Sequence, residues 1–86
     1  MVQPRKSRRV PTSALADTFV ARRHQLRLTQ SDLALLAGVG RSTVQSLEGG
    51  KESVQLDSAT AVADALGCAL ELVTKSGAVI PPLDLS

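Results

Sequence analysis

The chain has 86 residues, enough for one small domain that buries only about 60–65% of its unfolded surface, so a lone monomer is expected to be marginally stable. Its single cysteine excludes an internal disulfide, and no apolar run approaches the roughly 18 residues of a membrane span. The N-terminus is charged and lacks the apolar segment of a signal peptide, so we expect a cytoplasmic protein.

Charge is distributed unevenly along the chain. The net charge is +2, but residues 1–27 carry +6, residues 28–51 are neutral and residues 52–86 carry −4. A basic front half suits a polyanionic partner, and an acidic rear half is expected to face away from that partner.

Residues 1–11, MVQPRKSRRVP, contain two prolines and little apolar content, so no packed element is predicted there. The segment is either a solvated terminus or an arm that follows a phosphate backbone, and the two interpretations are compatible. Its cations are Arg5, Lys6, Arg8 and Arg9.

Two helices are predicted next. The first runs from about residue 14 to residue 25, with Thr12 or Ser13 as the N-cap and an apolar stripe that includes Leu15, Phe19 and Leu26. The second begins after Thr29, and Asp32 stands three residues later, as in a capping box. Gly38 ends the second helix, because glycine adopts the left-handed conformation without steric cost.

A third helix is predicted over residues 41–48. At 100° per residue, Val44 and Leu47 face the core. The opposite side carries Arg41, Ser42, Gln45 and Ser46, which are side chains that hydrogen-bond base edges and phosphates. Two short helices with a tight corner and this outer face are typical of a helix-turn-helix, although a solvated helix pair of an all-α domain has the same general pattern.

A loop follows, in which Lys51 and, more weakly, Ser53 are candidates for phosphate contacts. A fourth helix is predicted over residues 57–66 and is ended by Gly67. Its predicted core-facing residues are Leu56, Ala59, Val62, Ala63 and Leu66.

The C-terminal segment changes period. Residues 68–74 alternate, with Cys68, Leu70 and Leu72 on one face and Val73 on the other, which predicts a strand. Because it finds no pairing partner in its own chain, we expect it to pair with its copy across a two-fold axis; the alternative is an extended tail packed on the fourth helix. The apolar, proline-interrupted tail after residue 75 is either a peptide that docks on a partner or a loose terminus.

The stretch LTQSDLALLAGVGRSTVQSLEGGK, residues 28–51, resembles the Xre/Cro-type helix-turn-helix family of phage repressors and bacterial regulators. The resemblance implies a mainly α, lambda-repressor-like domain of four to five helices, here with a short C-terminal β-strand pairing across a homodimer. Together with the composition of the two ends and the alternation of residues 68–74, it divides the chain into a basic arm (1–11), a DNA-binding domain (12–67), a dimerisation strand (68–75, with Cys68, Leu70, Leu72 and Val73) and a tail (76–86).

The residue pattern and the resemblance together predict roles for single residues. Base contacts are expected from Arg41, Ser42, Gln45 and Ser46, and phosphate contacts from Gln30, Thr43, Lys51 and the arm cations Arg5, Lys6, Arg8 and Arg9. Arg23 and Glu48 are expected to form a structural ion pair. Two positions depart from the family: Arg27 replaces its usual glycine, and Leu35 replaces a polar residue and is either an exposed apolar spot or a contact to another chain.

Within that family the strand resembles the HipB-like antitoxin branch. The implied function is a repressor of its own operon that binds double-stranded DNA and also neutralises a HipA-like toxin kinase. The alternatives are a stand-alone regulator and a protein-interaction module that has lost DNA binding. No catalytic set, metal cluster or phosphate loop is present in the sequence, and His24 stands alone, so neither enzymatic activity nor a cofactor is expected.

Overall fold

The computed structural model describes residues 10–51, 53–81 and 83. Within them the chain forms four helices, α1 (Val10–Gln25), α2 (Gln30–Ala37), α3 (Arg41–Glu48) and α4 (Leu56–Ala65). The mainly α fold predicted from the sequence is therefore confirmed. Across the same residues, no helix is both long enough and apolar enough to cross a membrane. The predicted arm cations Arg5, Lys6, Arg8 and Arg9 lie outside the described residues.

Helix α1 begins earlier than predicted. It starts at Val10, so Thr12 and Ser13 lie inside the helix and the predicted N-cap is wrong. Pro11 is compatible with this start, because the first turn of a helix does not use its backbone N–H groups for intrahelical bonds. The last two residues of the predicted arm thus belong to the helix.

The capping box of α2 is confirmed. The Thr29 hydroxyl accepts a hydrogen bond from the Asp32 N–H at 3.0 Å, and an Asp32 carboxylate oxygen accepts one from the Thr29 N–H at 3.0 Å. At the other end, Gly38 has φ +72° and the Val39 N–H donates to the Ala34 carbonyl at 3.0 Å. The chain can therefore turn directly from α2 into α3.

The core lies where α2, α3 and α4 meet under α1. Leu33, Val44, Val62 and Leu66 are its largest fully buried side chains, and Phe19 joins them from α1. On α1 the buried stripe runs through Ala16 and Phe19, so Leu15 and Leu26 are partly exposed.

The predicted inward position of Leu56 is wrong, because this side chain is 74% exposed. Leu56 is the first residue of α4. It lies on the same face of α4 as Ala59, which is buried. Leu56 stands one turn before Ala59, however, and the other helices do not extend far enough to cover it.

Residues after α4 form a short hairpin instead of a free strand. Val73 makes an antiparallel bridge to Val79, and the Thr74 N–H donates to the Ala78 carbonyl at 2.9 Å. The prediction that the segment has no pairing partner in its own chain is therefore wrong at Val73 and Thr74. The chain can reverse between the two paired stretches because Gly77 adopts φ +94°. Leu70 packs against the core of its own chain, whereas Cys68 and Leu72 are exposed.

Candidate nucleic-acid interface

Helix α3 presents a polar face to solvent. Arg41, Ser42 and Gln45 are exposed, and Ser46 is half-buried. Val44 and Leu47 anchor the opposite side in the core. The helix has one acidic residue, Glu48, and that residue is turned inward. The outer face therefore offers only cationic and neutral hydrogen-bonding groups, as phosphate and base edges require.

Glu48 ties α3 to the two preceding helices. Its carboxylate accepts hydrogen bonds from Arg23 Nε at 2.6 Å, from Arg23 Nη2 at 3.0 Å and from Gln30 Nε2 at 3.0 Å. A third Arg23 nitrogen donates to the Leu28 carbonyl at 2.8 Å. Because the side chains of Arg23 and Glu48 are only 12% and 7% exposed, this network holds the orientation of α3 from inside the domain.

The same hydrogen bonds change the pKa values of Glu48 and Arg23. Burial favours the neutral form of Glu48, but the hydrogen bonds from Arg23 and Gln30 outweigh it and lower the pKa of this carboxyl. Conversely, the hydrogen bond to Glu48 raises the pKa of Arg23. The bidentate pair is therefore fully ionised near neutral pH.

Beside α3 lies a polar groove of about 200 Å³, formed with the α3–α4 loop and the first turn of α4. Its walls carry five hydroxyl groups, one lysine, one amide and one valine: Ser42, Thr43, Ser46, Ser53, Ser58, Lys51, Gln55 and Val54. Hydroxyls and a lysine are donors that suit phosphate oxygens. We call this feature the serine groove.

The structure brings together five of the residues named from the sequence as candidate DNA contacts. All five line the serine groove: Ser42, Thr43, Ser46, Lys51 and Ser53. Arg41 and Gln45 lie on the same helix but outside it. Gln30 lies apart from the groove, with its amide nitrogen bonded to Glu48.

Sequence reasoning missed Gln55 and Ser58. Gln55 is the N-cap residue of α4, and Ser58 stands in the first turn of that helix. Their spacing of three was the available signal, because it places both on one side of the helix start. The apolar stripe of this helix predicts only a contribution to the core.

Two short helices joined at a left-handed glycine, the second with a polar outer face, have the geometry of a helix-turn-helix. Comparison with protein families agrees, because a family described as helix-turn-helix matches residues 21–73. The chain belongs to the Xre/Cro-type helix-turn-helix family and is a DNA-binding transcriptional regulator. Comparison with curated proteins found no match.

Proposed function

We propose that the chain is a sequence-specific repressor that binds a palindromic operator as a homodimer, with its own promoter as the expected site. The observation that carries this proposal is the exposed, acid-free face of α3 beside the serine groove. A two-fold dimer that binds two half-sites needs these helices roughly 34 Å apart, one turn of DNA, and its symmetry makes an inverted repeat the expected target.

The proposed roles follow the positions of the side chains. Arg41, Ser42, Gln45 and Ser46 contact base edges in the major groove, with Arg41 at the helix start directed to a guanine. Thr43 and Lys51, in the serine groove, hold backbone phosphates.

Gln30 has a double role in this proposal. One amide hydrogen donates to Glu48, and the second remains available for a phosphate, because a glutamine amide carries two donors. Gln30 is thus positioned by the same carboxylate that positions α3.

A gel shift on the DNA upstream of the gene, with excess nonspecific competitor, tests the proposal. We expect a discrete complex on a fragment with an inverted repeat, and loss of the complex when one half-site is scrambled. A dimeric protein that gives no discrete complex would contradict the repressor and favour a protein-interaction module.

A second candidate function is the antitoxin of a HipBA-like pair, in which the chain also neutralises a kinase toxin. The C-terminal tail favours it, because Ile80 and Leu83 are 48% and 82% exposed and an apolar tail of this kind suits docking on a partner. The test is co-expression with the adjacent gene product. A stable complex that the change Leu83→Glu disrupts would support the antitoxin, and a non-toxic neighbour that does not bind would leave a stand-alone regulator.

A further inference from the structure

An apolar groove of about 90 Å³ lies between α1 and the segment that follows α4. Leu15 and Phe19 line it from α1, and Leu66 and Leu70 line it from the other side. Leu15 is 46% exposed. The groove lies outside the set of residues proposed to contact DNA. We call it the α1 groove.

The hairpin at residues 72–80 is apolar on both faces. Its register pairs Val73 with Val79, so Leu72 projects from the opposite face. Leu72 is 80% exposed and Val79 is 61% exposed. A two-stranded hairpin is at best marginally stable in water by itself, and this one is held by a single bridge, so burial of its apolar side chains would stabilise it.

The hairpin does not cover the α1 groove of its own chain. Leu70 forms part of the groove wall, yet Leu72, only two residues later, remains exposed. A second copy supplies what each chain lacks, because it carries both an open α1 groove and an uncovered hairpin. In a two-fold dimer each hairpin then covers the groove of the other chain, so both α1 grooves and both hairpins are buried by the same contact.

Charge also favours a second copy as the occupant. On the other side of residues 68–70 lies a groove lined by Asp57 and Asp64. Lys75, at the turn of the hairpin, is the only cation in residues 52–86. A hairpin that crosses residues 68–70 of its partner places its apolar side chains in the α1 groove and brings Lys75 toward these two carboxylates.

We infer that two copies of this chain associate by reciprocal docking, the 72–80 hairpin of each copy lying over the α1 groove of the other. The inference rests on the homodimer of the proposed function and specifies the surfaces that form it. It differs from pairing of two C-terminal strands across the axis, in which the two copies of Leu72 lie near each other.

Analytical ultracentrifugation of the full chain tests the docking. We expect a dimer of twice the 9.0 kDa chain mass. Leu72→Glu and Leu15→Glu should each weaken the dimer at least about tenfold, because each places a charge in an apolar contact. Lys75→Glu should weaken it by roughly two- to fivefold, as expected for an exposed ion pair. Leu36→Glu is the matched control, because Leu36 is 63% exposed on α2 and its replacement should leave the dimer unchanged.

Disulfide trapping separates docking from strand pairing and does not depend on a destabilising charge. In a Cys68→Ser background, Leu15→Cys and Leu72→Cys chains are mixed and mildly oxidised. Docking predicts a cross-link that forms in the mixture and in neither variant alone. A cross-link of Leu72→Cys with itself would overturn the inference, as would a wild-type monomer at high concentration or a dimer insensitive to Leu15→Glu.

The gel shift described above distinguishes this inference from the proposed function. A trapped Leu15–Leu72 dimer without a discrete DNA complex would support the docking and contradict the repressor. A chain that forms a discrete operator complex but gives no Leu15–Leu72 cross-link would support the repressor and overturn the docking.

Discussion

Glu48 is the residue on which the orientation of α3 most depends. It is the last residue of α3, and its carboxylate receives hydrogen bonds from side chains of α1 and α2. Removing one partner of a buried, hydrogen-bonded ion pair leaves the other charge uncompensated. A small domain of this length has little free energy of unfolding to lose, so a single change here has a large consequence.

We predict that Glu48→Gln lowers the free energy of unfolding by about 2–4 kcal/mol at pH 7, because the largely buried Arg23 guanidinium loses its counter-charge. Urea unfolding followed by circular dichroism measures the change. Asp17→Asn, at an exposed carboxylate of α1, is the control and should remain within about 0.5 kcal/mol of the wild type.

The same comparison has a predicted pH dependence. The folded state lowers the pKa of Glu48, so its contribution is fully present above the ordinary glutamate value of about 4.3 and is lost as pH falls through the lower folded value. The difference in unfolding free energy between wild type and Glu48→Gln should therefore shrink progressively as pH falls below about 4.3. A difference that is constant from pH 7 to pH 3 would contradict the ion-pair explanation.

Arg41 is predicted to read a base, whereas Lys51 is predicted to hold a phosphate. Arg41→Ala should cost about 1–3 kcal/mol on the operator and relax specificity at one base position. Lys51→Ala is the matched comparison and should weaken binding to all sequences by a similar factor. Competition binding against a set of single-base operator variants measures both. An equal loss on operator and unrelated DNA for Arg41→Ala would make Arg41 a phosphate contact.

At the scale of elements, the two turns that flank α2 use the same backbone conformation with different residues. Gly38, after α2, has φ +72°, and Arg27, before it, has φ +58°. The left-handed region costs a residue with a side chain more than it costs glycine. Where this family usually has glycine, the chain therefore accepts strain at Arg27 and keeps the same turn geometry.

Placing glycine at residue 27 and removing it from residue 38 should change the free energy of unfolding in opposite directions. Arg27→Gly should raise the free energy of unfolding by about 0.5–1 kcal/mol, and Gly38→Ala should lower it by about 1 kcal/mol. A Cβ at Gly38 would meet no atom within 4 Å, so its cost comes from the backbone alone. Thermal unfolding measures both changes. Arg27→Ala is the control, because it removes the guanidinium but keeps the strain, and a stabilisation equal to that of Arg27→Gly would refute the backbone explanation.

At the scale of the whole molecule, the two ends of the chain carry net charges of opposite sign. Cations are concentrated in residues 1–27, and the acidic excess lies in residues 52–86. Residues 28–51, which include the proposed DNA-binding face, carry no net charge, because Arg41 and Lys51 are balanced in number by Asp32 and Glu48. Any strong electrostatic attraction to DNA therefore depends on the N-terminal part of the chain.

Salt dependence tests this expectation. Replacing Arg5, Lys6, Arg8 and Arg9 by glutamine should reduce the slope of log K against log salt by up to about 3.6, because each phosphate contact contributes about 0.9 on duplex DNA. Lys51→Gln calibrates the measurement with an expected reduction of about 0.9. Filter binding between 50 and 200 mM salt, roughly the range over which such slopes are resolved, gives both values. An unchanged slope would show that the arm is a solvated terminus.

Much of the local structure could be predicted from the sequence. Helices α2 and α3, the capping box at Thr29 and the turn at Gly38 depend on hydrogen bonds and side-chain spacing within a few residues. The inward position of Val44 and Leu47 follows from the same periodicity. For the candidate site, this was sufficient to identify the outer face of α3 but not the contribution of Ser58 from α4.

The sequence alone determined the order of the helices, the helix-turn-helix and its polar face, because these features depend on short-range periodicity and on backbone rules for single residues. Only the tertiary structure decided that Leu15 lines an open groove, that Leu56 projects from the core and that Val73 pairs with Val79. Periodicity shows which face of a helix is apolar, but not where the neighbouring element stops. Exposure at a helix end and pairing across a turn depend on contacts between residues that the folded chain brings together.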